Sequence, residues 1–251
     1  MPQVPVELVG LLLGVVRAAA WLLLAPPFNT RMVPRSAKGL LAVALTLPVA
    51  DDLARVVPDL TLPGFIGAVV VQVATGAALG FTTQLLFAAV QAAGDLIDLF
   101  GGFTVAFGYD PLSMSQSSVF GRLHQLLAVV LLFTTGGHLV IVQGFLQSYE
   151  SIPVTSGVAL DRLAATLTGG VGTFFLSALA IAAPLIGVLF VADVGLGLLT
   201  RVSPSLNAFS LGFPIKILLT LVVIGFTFPL LPGVVDSVVD EAYAAVGGLG
   251  G

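Results

Sequence analysis

Cysteine is absent from the 251 residues, which excludes disulfides and thiolate metal sites. Charge is scarce. Nine Lys/Arg and thirteen Asp/Glu make up 9% of the chain, against about 25% in a typical soluble domain. So few charges cannot cover a water-soluble globule of this length, and a soluble fold is excluded. There is no basic stripe with interleaved aromatics, so nucleic acid is not an expected partner. Only two histidines occur, His124 and His138. No further ligand pattern accompanies them, so no metal or other cofactor is expected. No Walker motif or nucleotide loop is present, and no nucleophile–base pair stands out. The chain therefore does not read as an enzyme.

What fills the sequence is apolar: 57% of residues are hydrophobic, with a mean hydropathy of +1.11. The class is a polytopic helical membrane protein. Six apolar segments are read along the chain: about 6–25, 39–50, 63–99, 119–147, 163–200 and 208–231. Their lengths are uneven. A span needs roughly 20 residues, so the second run is short. The third and fifth are long enough to be broken or to project from the bilayer. Pro184 and Pro214 read as kinks, and a small acidic tail follows residue 231. The N-terminus has no Lys/Arg region ahead of its first apolar run, so it reads as a first span and not as a cleaved signal. Arg31, Arg35, Lys38, Arg122 and Arg201 fall on one side if the segments alternate. Most acidic residues fall on the other, which assigns the basic turns to the cytoplasm.

The stretch FGGFTVAFGYDPLSMSQSS, residues 100–118, interrupts this pattern. Gly101, Gly102 and Gly108 disfavour a helix by about 1 kcal/mol each relative to Ala. Asp110-Pro111 signals a turn or a helix start. Irregular backbone at membrane depth is tolerated only inside protein or along a wet path, so a loop held in a conduit is expected here. Phe103 and Phe107 share a face if that part is helical, as a hydrophobic seal or as ordinary core.

Charges inside apolar segments are the other candidates. Asp95 and Asp98 share a helix face just before the loop, as an acidic pair lining a wet path or as a solvated helix end. Arg122 and His124 follow the loop, as anchors, caps or contacts to a partner. Arg17, Asp193 and Lys216 each sit in apolar sequence. Each must pair, snorkel, or face water or another subunit, because an unpaired charge at the bilayer centre costs about 2.5–3.5 kcal/mol or more.

Three stretches carry a family resemblance. They are AAWLLLAPPFNTRMVPRSAKGLLAVALTL, GFTTQLLFAAVQAAGDLIDLFGGFTVAFGYDP with RLHQLLAVVLLF and GGHLVIVQGF after it, and APLIGVLFVADVGLGLLTRVSPSLNAFSLGFPIK. In that order and spacing, over roughly residues 10–231, the chain resembles the FliR family of flagellar type III export-gate proteins. The injectisome (SctT-like) subunits are the nearest relatives of that family.

The resemblance implies an all-α membrane domain over residues 1–251 built of bent helical hairpins. It implies a lumen plug at residues 101–117 carried by Gly101, Gly102, Phe103, Phe107, Gly108, Tyr109, Asp110 and Pro111. A FliQ-like C-terminal hairpin at about 163–231 has its cytoplasmic turn at Arg201 to Asn207. Implied partners are FliP- and FliQ-like subunits, FlhB- and FlhA-like export components, unfolded protein substrates and membrane lipid. The implied location is the bacterial inner membrane at the flagellar basal body. The chain departs from the family where Asp95 replaces a common Glu, and where Phe100-Gly101 replaces Gln-Met. The readings that stay open beside it are an injectisome subunit, a stand-alone secondary transporter and an intramembrane enzyme.

Overall fold

A computed structural model describes residues 5–30, 33–55, 61–104, 118–154, 157–203 and 208–250. All regular structure among these residues is helical. In chain order the helices are α1 (Val6–Leu24), α2 (Arg35–Thr46), α3 (Ala50–Ala54), α4 (Leu62–Phe100), α5 (Val119–Thr134), α6 (Gly137–Ser151), α7 (Leu160–Val202), α8 (Ala208–Thr227) and α9 (Leu231–Gly250). Short 3-10 turns at Leu47–Val49 and Phe228–Leu230 carry Pro48 and Pro229. Each proline lacks the N–H an uninterrupted helix would use.

Prolines also set the other boundaries. Pro5 and Pro34 precede the first residues of α1 and α2, where a missing N–H costs nothing. Pro26-Pro27, joined by a cis bond, follows the end of α1. Pro184 and Pro214 lie inside α7 and α8 without ending them.

Four helical stretches are long and apolar enough to cross a membrane: Glu7–Leu24, Leu62–Phe100, Asp161–Val202 and Leu211–Leu249. The pair α5 and α6, interrupted at Thr135 and Gly136, amounts to a fifth, broken span. The third and fifth apolar segments are thus single helices of 39 and 43 residues. At ~1.5 Å per residue each exceeds a ~30 Å hydrocarbon core. The run at 39–50 is no span. It forms α2, which stops after 12 residues at the Pro48 turn.

The acidic tail also differs from the expectation, because it is the helix α9. Its buried residues Val235, Val238, Val239, Ala242, Val246 and Leu249 recur at the three- and four-residue spacing of one helical face. Asp236 and Asp240 fall between them. That periodicity was the available signal, hidden by the acidic composition.

The fold divides into two compact units. One comprises residues 1–86, 136–172 and 237–251; the other comprises 87–135 and 173–236. In the first, α1 packs on α2 and α3. A Cβ on Gly10 would come within 2.9 Å of the Leu53 backbone, so only glycine permits that approach. The only tryptophan, Trp21, is fully buried and stacks on Phe145 with ring centroids 4.4 Å apart. Phe145 in turn meets Tyr149 edge-on. α9 docks through Tyr243, whose hydroxyl donates to Gln147 Oε1 at 2.6 Å; its ring lies over Gly144. In the second unit the core gathers Ile97, Leu132, Ala182, Leu185 and Leu189. Phe175, Leu176, Phe190, Val191 and Phe226 are exposed there. These outward apolar side chains suit a helix surface that meets lipid or another chain.

Candidate functional site

The site lies where α4 gives way to the glycine-rich segment and where α5 begins, all within the second unit. Gly101 still donates its N–H to the Ile97 carbonyl at 2.8 Å. Gly102 then adopts φ +83°, a left-handed conformation that glycine takes without strain. A Cβ on Gly101 would stand 2.7 Å from Thr220 Oγ1 of α8. Two adjacent glycines thus end α4 for different reasons, the first for space and the second for backbone conformation.

Asp98, one turn before, is 3% exposed and holds the start of α5. Its Oδ2 accepts from the Ser118 hydroxyl, from the Phe120 N–H at 2.9 Å and from the Gly121 N–H at 3.4 Å. The Ser118 hydroxyl oxygen also accepts from the Gly121 N–H at 2.8 Å, a serine N-cap. A carboxylate here satisfies amides that have no partner within their own helix and meets the positive end of its dipole. The sequence reading placed Asp98 on a wet path or at a solvated end. The structure instead shows it buried and capping another helix from outside.

Close packing accompanies the cap. A Cβ on Gly94 would strike the Phe120 carbonyl, and one on Gly121 would strike the Asp95 carboxylate. The Phe103 ring meets Phe120 edge-on with centroids 5.1 Å apart. The chain leaving α4 through Phe103 and the chain returning at Ser118 are therefore anchored to the same turn of α4. Gly94, Ser118 and Phe120 were not singled out from sequence. Ser118 carried a signal, a serine directly ahead of an apolar helical run; Gly94 and Phe120 carried none.

His124 lies one turn into α5 and is fully buried. Its Nδ1 is 2.8 Å from the Phe120 carbonyl, and the Phe228 ring centroid is 6.4 Å away. Asp95 and Arg122 are exposed. Phe107, Gly108, Tyr109, Asp110 and Pro111 lie outside the described residues, as does Asn207. Arg201 is exposed in the last turn of α7.

The three isolated charges have found partners. Lys216 Nζ lies 2.7 Å from Asp193 Oδ1, an ion pair joining α8 to α7. Both side chains are partly exposed, at 22% and 46%. Replacing Lys216 with Met is expected to lower the detergent melting midpoint by leaving Asp193 without its cation. The double variant Lys216→Met, Asp193→Asn should recover most of that loss, and a circular-dichroism melt of the three proteins checks it.

Arg17 belongs to the first unit and is fully buried. Its guanidinium donates to Gln72 Oε1 at 2.6 Å, to the Ser148 carbonyl at 2.9 Å and to the Ile152 carbonyl at 2.8 Å. It lies 4.7 Å from the Tyr149 ring centre. The two carbonyls belong to the last turn and C-cap of α6, which ends at Ser151. There the helix dipole is negative and the carbonyls lack helical partners. Gln72 passes the link on by donating to the Val154 carbonyl at 2.9 Å.

The comparisons with known proteins agree with this arrangement along most of the chain. The Flagellar biosynthetic protein FliR of Pectobacterium carotovorum subsp. carotovorum is 31% identical over 91% of this chain and 87% of its own length. FliR of Escherichia coli (strain K12) is 31% identical over 90% and 87%. The Secretion system apparatus protein SsaT of Salmonella typhimurium is 28% identical over 66% and 64%. The family model described as bacterial export proteins, family 1, matches residues 8–242, a stretch that takes in α4, the cap on α5, the α7–α8 ion pair and most of α9, and the chain belongs to that family.

Proposed function

We propose that this chain is a non-enzymatic, pore-forming subunit of the flagellar type III protein-export gate in the bacterial inner membrane, at the flagellar basal body. It joins FliP- and FliQ-like subunits in a conduit for unfolded export substrates and works with FlhB- and FlhA-like components. The whole chain acts as one integral membrane unit, with its C-terminal hairpin, about 163–231, playing a FliQ-like part. The observation that carries this reading is the family match over residues 8–242. The flagellar role is favoured over the injectisome role by higher identity over a larger share of the chain, 31% over 91% against 28% over 66%.

Within that conduit, residues 101–117 are the plug. Phe103 and Phe107 provide the seal, and Gly101, Gly102 and Gly108 permit displacement. The anchoring of Phe103 and Ser118 to one turn of α4 supports this, since a plug needs fixed ends. Deleting residues 105–109 spares Phe103 and its packing on Phe120. The deletion is expected to make inverted vesicles leak small ions while the assembly still forms. A tight vesicle carrying an intact assembly would refute the plug.

Pull-down of the C-terminally tagged chain from solubilised membranes, read by native mass spectrometry, tests the assembly itself. A mixed particle with FliP- and FliQ-like chains is expected. A monomer or homodimer, in a host that makes those partners, would bring forward the stand-alone solute transporter.

A further inference from the structure

We propose that Asp98 and His124 form one proton-sensing latch at the start of α5. The proposal rests on the described geometry alone and stands whether or not the chain works in an export gate. The Phe120–Gly121 peptide group joins the two side chains. Its N–H points at Asp98 Oδ2 at 3.4 Å, and its C=O lies 2.8 Å from His124 Nδ1. A polarised peptide between a carboxylate and an imidazole couples their charge states, because hydrogen bonds in series strengthen one another.

The protonation pattern follows from the donors. A carbonyl can only accept, so His124 Nδ1 carries a proton. In the neutral ring Nε2 is then a bare acceptor. Among the described residues that Nε2 has no partner, and neither has Asp98 Oδ1. Both residues are more than nine-tenths buried. The site therefore holds two bare acceptors and no donor for either, and a single added proton is the chemistry that supplies one.

The groups facing the site bear this out. From α4 come the carboxylates of Asp98 and of Asp95, one turn earlier, both felt electrostatically by His124. From α5 itself the nearest charge is Arg122, which is exposed. The 3-10 turn at Phe228–Leu230 presents the Phe228 ring and has no titratable residue. One added proton takes the Asp98–His124 unit from a net single negative charge to neutrality. It also weakens the carboxylate's hold on the Ser118, Phe120 and Gly121 donors.

Two histidines in the whole chain make the test direct. The full chain, with whatever partners co-purify, is labelled with ¹⁵N-histidine, and its ring nitrogens are followed by NMR between pH 4.5 and 8.5. His138→Gln assigns the signals. The expected result is a neutral His124 protonated on Nδ1 at high pH. It should titrate within the range, and the Gly121 amide should exchange at least tenfold faster below the midpoint. Asp98→Asn is expected to move the midpoint by about one pH unit. An Nε2-protonated neutral ring, a His124 signal that does not change with pH, or amide exchange with no step at its midpoint would each overturn the latch. Those readings come from the unmutated Asp98 and do not depend on the variant folding. A buried water satisfying both atoms would produce the pH-invariant outcome.

Discussion

Arg17→Met is expected to cost the protein about 3–5 kcal/mol, the range for removing one side of a buried charged network. Methionine fills much of the same volume, so the loss comes from hydrogen bonds. The Ser148 and Ile152 carbonyls and Gln72 Oε1 would lose their donor inside the first unit, at about 1–3 kcal/mol for each group left unsatisfied. Folding leaves a margin of only about 5–15 kcal/mol, so the variant should accumulate poorly in membranes. Arg17→Lys should recover only part of the loss, because one ammonium cannot reproduce a planar fork aimed at three acceptors. Arg35 is exposed at the start of α2, and Arg35→Met is the control expected to change little. Trp21 provides the readout. It is the only tryptophan, fully buried and stacked on Phe145, whose neighbour Tyr149 lies under the guanidinium. Its emission should shift to the red at a lower temperature in Arg17→Met. An unchanged melting midpoint would show that the guanidinium network contributes no net stability.

Alanine in place of glycine should give opposite signs within one helix. At Gly76 a Cβ would strike the Arg17 carbonyl, and at Gly94 the Phe120 carbonyl. Backbone cannot swing aside as a side-chain end can, so the helices must separate, at about 1–3 kcal/mol or more. Gly67 lies in the same helix with nothing within 4 Å of its Cβ position. There alanine should stabilise by about 0.5–1 kcal/mol, through lower backbone entropy in the unfolded chain. A detergent melt followed by circular dichroism distinguishes the three. Equal effects at all three positions would show that close approach is not what these glycines provide. Gly94→Ala carries a further expectation: by forcing Phe120 away it should weaken the Asp98 cap, so the Gly121 amide should exchange faster than in Gly76→Ala.

Much of the molecule was readable from its residues. Scarce charge and apolar runs longer than a bilayer is thick leave only helices, since lipid offers no partner for an unpaired amide. The break after Phe100 was readable too, because two consecutive glycines remove both side-chain bulk and helix propensity. That Arg17, Asp193 and Lys216 required partners followed from the cost of burying an unpaired charge.

The partners themselves were not readable. Arg17 meets carbonyls 131 and 135 residues away, and every residue has a carbonyl, so no residue type marks the acceptor. Asp98 and Asp95 are alike in sequence, yet one is buried and caps α5 while the other is exposed. Which carboxylate faces the Phe120 and Gly121 amides depends on the rotation of α4 against α5, and Gly94 sets how closely the two approach. The tail at 231–250 was misjudged because composition spoke louder than period: its acidic residues suggested solvent, while Val235, Val239, Ala242 and Val246 lay on one face. Local chemistry determined that the chain is helical, membrane-bound and broken at Gly101–Gly102. Only the tertiary structure decided which buried charge answers which backbone group, because a hydrogen bond is specified by the position of its acceptor in space and a one-dimensional sequence does not contain that position.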